Sequence, residues 1–207
     1  MAAGRSRSYF ERLAELAALC AEAAELLKEG LVHCHPALLP GNQALVEKRV
    51  DSAEKQRREL NRLLLREFIT PIDREDISLI AARLCEILRA VDGSMCWLPC
   101  TAGRTPRPEA LQTAGSLCRC CDELAELCRN LQRLKKTAPL VTGVTEANRL
   151  AHEGDKVCSK GVQALFGAGL SPALVQAWIG FYGRMAEGFA ACSRAAEQIW
   201  IVLLKNG

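Results

Sequence analysis

The sequence predicts an all-α protein, and three observations carry that prediction. Apolar residues recur at three- and four-residue spacing over long stretches, as in Val46, Val50, Ala53, Leu60 and Leu64. Leu and Ala are abundant while only 5% of residues are aromatic, a balance suited to helix packing rather than to a sheet-based core. Prolines and glycines gather between the periodic stretches, where they punctuate helices.

Six helices follow in order. The first runs from about Ser8 to Val32 and the second from about Gln43 to Phe68, separated by Pro36 and a Pro40-Gly41-Asn42 turn. The third starts at Asp73 and fades near Gly93. Residues Pro99 to Pro108 carry three prolines and a glycine and read as a linker over 99–107, outside any helix. A fourth helix from Glu109 to Lys136 and a fifth from about Thr145 to Phe166 follow, the fifth closed by Gly167-Ala168-Gly169. The sixth, to Lys205, opens on Ser171 as N-cap with Pro172 in the first position.

At 207 residues with 49% hydrophobic content, the chain can bury a core without disulfides. The linker divides it into halves at about 8–98 and 108–207. A weak internal repeat supports the division: Glu47 to Lys55 aligns without a gap on Asn148 to Lys156, each in the second helix of its half.

Bulk properties exclude several classes. A net charge of +3 supplies no field that demands nucleic acid. The basic run Lys55, Arg57, Arg58, Arg62 and Arg66 is interleaved with Glu54, Glu59 and Glu67, as on a solvated helix face. No apolar run approaches the ~18 residues of a spanning helix, and the charged Glu11, Arg12 and Glu15 do not suit a signal core. A soluble, cytoplasmic protein is expected. Its eleven cysteines then read as reduced thiols. With three histidines and no phosphate loop, nucleophile elbow or His-Glu-x-x-His pattern, catalysis is not expected.

Candidate ligands lie on the second and fifth helices. Glu47, Asp51 and Glu54, at i, i+4 and i+7, share the flank of the apolar stripe, where carboxylates can converge on magnesium, calcium, manganese or iron. Asn148, His152 and Asp155 hold the same flank on the fifth helix. A solvated acidic face has the same spacing, so both readings stand. Cys118, Cys120, Cys121 and Cys128 crowd the fourth helix, but Cys121, Leu124, Cys128 and Leu131 continue an apolar stripe, and core packing is favoured. Cys96-x-x-x-Cys100 lacks a paired second motif, and His33-Cys34-His35 is ambiguous before Pro36.

The stretch Arg66 to Asp76 reads as a tight hairpin between two helices. Pro71 disfavours helical geometry at Thr70, Asp73 can accept hydrogen bonds from the next helix's free N–H groups, and Glu75 and Asp76 suit the positive end of its dipole. Phe68-Ile69-Thr70-Pro71-Ile72-Asp73-Arg74-Glu75-Asp76-Ile77 resembles the signature of the PhoU-like phosphate-transport regulators, accessory proteins of Pit-type phosphate transporters. The likeness extends from Tyr9-Phe10-Glu11-Arg12-Leu13 and Ala23 to Lys28, through Asn148-Arg149-Leu150, Glu153 and Asp155, to Trp178, Tyr182 and Lys205-Asn206.

This resemblance implies two antiparallel three-helix bundles packed together, a cytoplasmic location, and a non-enzymatic regulator of phosphate uptake. A Pit-type transporter is the implied partner, homo-oligomerisation is left open, and metal is implied at acidic motifs, as iron, manganese, zinc or magnesium. On this chain the metal residues would be Glu47, Asp51, Glu54, His152 and Asp155. The family's Glu-x-x-x-Asp pairs fall instead on Val50 and Glu54 and on Ala151 and Asp155. Its other acids fall on Cys85, Glu86 and Arg89, then on Gly183, Ala186 or Glu187, and Ala190. Such losses weaken hard-cation binding and favour the alternative of a metal-independent helical scaffold.

Overall fold

The computed structural model describes residues 2–67 and 69–206, with side chains from residue 9 onward. Six helices are present and no strand occurs among the described residues: α1 (Ala2–His33), α2 (Leu39–Arg66), α3 (Arg74–Met95), α4 (Pro108–Asn130), α5 (Thr137–Leu165) and α6 (Pro172–Asn206). Two short 3-10 turns, Leu98–Thr101 and Leu131–Arg133, complete the order.

The helices bury the stripes that the spacing marks, Val50 only in part. On α2 Val46, Ala53, Leu60 and Leu64 face inward, and on α4 Leu117, Cys121, Leu124 and Cys128 do so. α2 packs on α1 and α3, α5 packs on α4 and α6, and the two sets meet through α1 against α4 and α3 against α6. One continuous core results, running from Leu13 and Cys20 on α1 through Leu84 on α3 and Leu124 on α4 to Phe189 and Ile199 on α6.

Several boundaries differ from expectation, and α1 already begins at Ala2 rather than near Ser8. α2 starts at Leu39, so Pro40, Gly41 and Asn42 are helical. Pro40 lies in the first turn, where a missing N–H leaves no intrahelical bond unmade. The chain reverses instead around Cys34, a buried residue with φ +36°, whose carbonyl accepts the Gly103 N–H at 3.1 Å. Pro99 lies within the first 3-10 turn, so the linker is not wholly extended. α4 ends at Asn130, and α5 begins at Thr137 with Pro139 tolerated in its first turn; Leu140 and Val144 extend its buried stripe toward the N-terminus.

The signature hairpin is a bonded turn. Thr70 Oγ1 donates to the Ile72 carbonyl at 2.7 Å, Ile72 is buried, and Arg74 Nη2 donates to the Glu67 carbonyl at 3.1 Å. Phe68 lies outside the described residues. Asp73 occupies the N-cap position but makes no side-chain capping bond; its Oδ2 accepts from Lys205 Nζ at 3.0 Å. A cation on α6 competes successfully for that carboxylate because a charged donor makes the stronger hydrogen bond.

Candidate functional site

The predicted flank of α2 divides. Glu47 and Asp51 are exposed, and Glu47 accepts a hydrogen bond from Gln43 at 3.1 Å. Glu54 is drawn away: its Oε2 accepts from Arg57 Nε at 3.1 Å and Nη2 at 2.8 Å, while Arg89 Nη1 stands 3.5 Å from Oε1. Two guanidinium groups therefore compensate the Glu54 carboxylate. Glu47 and Asp51 act electrostatically on Asp92 of α3, an acid that no spacing along α2 reveals. Burial raises the Asp92 carboxyl above its ordinary range, and the charges of Glu47 and Asp51 add to the rise. Its Oδ1 is buried without a hydrogen-bond partner.

The α5 flank lines a groove of about 400 Å³ against α6, formed by Asn148, His152 and Asp155 facing Phe189, Ser193, Arg194 and Glu197 among others. Asn148 Oδ1 accepts from Ser193 Oγ at 2.6 Å, which commits the asparagine to α6. His152 and Asp155 are exposed at its edge.

A second groove, of about 310 Å³, runs between α3 and α6. Arg89, Arg184 and Arg194 line it with Glu86 and Glu187, and Ala90 and Ala191 form its small-residue lining. On α6 the residues Arg184, Glu187, Ala191 and Arg194 recur at i, i+3, i+7 and i+10 and so share one face. Arg194 donates to Glu86 Oε2 from Nη2 at 3.0 Å and Nε at 3.3 Å; Arg184 Nη1 donates to Glu187 at 2.7 Å. Arg83 Nη1 holds the other Glu86 oxygen at 2.7 Å.

The cysteine and histidine candidates do not assemble a site. Cys20, Cys85, Cys118, Cys120, Cys121, Cys128, Cys158 and Cys192 are buried free thiols, while Cys96 and Cys100 are exposed. Burial pushes the Cys85 thiol up to about 11, with Glu54 adding to it, and the Cys128 thiol up to about 12. His33 and His35 are exposed on either side of the buried Cys34, and His35 Nδ1 accepts the Ala37 N–H at 3.2 Å. Among the described residues no group of three or more His, Cys, Asp or Glu side chains is placed to hold a metal ion, and no helix is long and apolar enough to cross a membrane. With Glu54 paired to Arg57 and Arg89, the described residues do not assemble a carboxylate-rich metal cluster.

The class defined by this architecture is a six-helix bundle with one shared core, and the fold is the PhoU-like fold. A PhoU-like protein from Shewanella oneidensis MR-1 superposes with a TM-score of 0.78 at 14% identity, covering 95% of this chain and 99% of that one. A second structure from the same organism, described as a PhoU-like phosphate regulatory protein, gives a TM-score of 0.75 at 14% identity with the same coverage. No protein-family model matches the chain, and no curated protein matches it.

Proposed function

We propose that this protein is a non-enzymatic accessory protein of inorganic phosphate transport that docks on the cytoplasmic side of a Pit-type transporter and modulates uptake. The observation that carries the reading is the PhoU-like fold over 95% of the chain, joined to a signature turn whose Asp73 and Asp76 bind Lys205. Fold alone does not dictate function, so the turn matters as a second support.

The docking face is the end of the bundle that holds this turn. Leu65 and Ile69 are 84% and 82% exposed, and the exposed Leu204 adjoins Lys205, which reaches across to Asp73. Exposed leucine and isoleucine at one end suit a protein interface, with Arg62 and Arg66 at its rim. Docking proceeds without a metal cluster. Where a cation is held, Glu47 with Asp51, and His152 with Asp155, are the residues that take it.

Phosphate uptake by cells carrying a Pit-type transporter, with and without this protein, tests the reading. Uptake should change when the protein is supplied, and the two should co-purify in detergent. Leu65→Asp with Ile69→Asp should abolish both effects while helicity is kept. Unchanged uptake together with no co-purification would overturn the proposal.

A further inference from the structure

We infer that the groove between α3 and α6 is a binding site for a phosphoryl group, held by the guanidinium groups of Arg89, Arg184 and Arg194. Three arginines face two glutamates across a space of about 310 Å³ lined by Ala90 and Ala191, large enough for inorganic phosphate or a phosphate monoester. The lining is small because α3 and α6 approach closely: a Cβ on Gly188 would stand 3.4 Å from Ala90 Cβ.

The glutamates orient the arginines without exhausting them. A guanidinium carries five N–H donors. Arg184 gives one nitrogen to Glu187, Arg194 gives two to a single oxygen of Glu86, and Arg89 meets Glu54 only at 3.5 Å. The remaining donors suit a tetrahedral oxyanion, which arginine forks bind in bidentate fashion. Arg184 is also fixed by its stem, which crosses Gly93 so closely that a Cβ there would lie 3.0 Å from Arg184 Cδ. The excess of positive charge makes the groove unsuitable for a cation, which separates this site from the acidic one on α2.

Geometry carries the oxyanion site, and the choice of phosphoryl over other oxyanions rests on the phosphate-transport reading. Calorimetric titration of the full chain with inorganic phosphate, glycerol 3-phosphate and sulfate, at low ionic strength, tests it. Phosphate or the monoester should bind saturably, and the tighter of the two identifies the source. Arg89→Gln and Arg184→Gln should each weaken binding by roughly tenfold, Arg184→Lys should fail to restore it, and the double glutamine variant should lose it while its melting temperature stays unchanged. Gly93→Ala should weaken binding although it touches no ligand. Absence of saturable binding, or binding undiminished in the double variant, overturns the site; sulfate bound as tightly as phosphate overturns its phosphoryl preference. The double variant in the uptake assay separates the two proposals, since lost binding with regulation intact leaves the transport reading standing.

Discussion

Lys205, at the end of α6, places its Nζ 2.9 Å from Oδ2 of Asp76, a buried carboxylate in the first turn of α3. Gln198 Nε2 supplies a second donor to Asp76 at 2.9 Å, and Asp73 takes the same lysine at 3.0 Å. The turn between α2 and α3 is thereby fastened to the last turn of α6. Asp76 suits the positive end of the α3 dipole, but its burial requires that cation, because an unpaired buried carboxylate is costly.

Lys205→Met should therefore lower the denaturation midpoint at neutral pH more than substitution of an unpaired surface lysine. Asp76, then Asp73, hold the Lys205 pKa above its ordinary 10.5. A raised lysine contributes stability that is fully present below 10.5 and is lost as pH rises through the folded-state value. The difference between wild type and Lys205→Met, measured by chemical denaturation, should be largest near pH 7 and shrink in strongly alkaline solution. A difference independent of pH would show that packing of the lysine stem, not its charge, is what the substitution removes.

Close helix approach makes a second test. The Phe189 ring lies over Gly154, where an added Cβ would stand 2.1 Å from Cε1. Gly154→Ala should cost roughly 1–3 kcal/mol through overpacking, despite the higher helix propensity of alanine. Phe189→Leu in the same chain should recover part of that loss. Two losses that simply add would show that the contact is not the cause.

Much of this architecture is legible in the sequence, because helix packing leaves a periodic record. The buried stripes on α2 and α4 are those that the three-four spacing marks, and Ser171 caps α6 as read, its Oγ accepting the Leu174 N–H at 3.4 Å. Pro40 misled because it falls in a first helical turn, where the residue is tolerated, yet in sequence it resembles a break. We propose that halves 8–98 and 108–207 are repeats of one three-helix unit, since α2 sits on α1 and α3 as α5 sits on α4 and α6.

The site was less legible, because its partners come from different helices. Spacing along α2 groups Glu54 with Glu47 and Asp51, but no local pattern reveals that Arg89 of α3 approaches Glu54 or that Asp92 faces the other two acids. The arginine groove was no more legible, since Arg89, Arg184 and Arg194 lie on two helices and no local pattern shows their convergence.

Thiol reactivity follows burial. Cys96 and Cys100, both exposed, should react with a thiol reagent in the native protein, although burial, then Asp92 and Glu47, raise the Cys96 pKa. Cys128, pushed up to about 12, and Cys121 beside it in the α4 stripe should label only on unfolding. Mass-spectrometric mapping of labelled peptides over time decides this. Fast native labelling of Cys121 and Cys128 would mean that the α4 stripe is not packed.

The acidic face of α2 and α3 gives the last test. Burial and the neighbouring Glu47 and Asp51 raise the Asp92 carboxyl, so folding favours its protonated form. Its stability contribution is fully present below the unfolded-state pKa and is lost as pH rises through the raised folded-state value. Asp92→Asn should therefore melt above wild type at neutral pH, and the advantage should vanish in acid. A cation held by Glu47 and Asp51 would relieve the same repulsion, so a rise in the wild-type melting temperature with manganese or magnesium, absent from Asp92→Asn with Asp51→Ala, would mark a site there. His152→Ala with Asp155→Ala gives the matching test on α5. If metal shifts neither the wild type nor these variants, and metal analysis of protein purified without chelator finds none, the metal-independent scaffold is the surviving reading, and the acids of α2 act only on the protonation of Asp92.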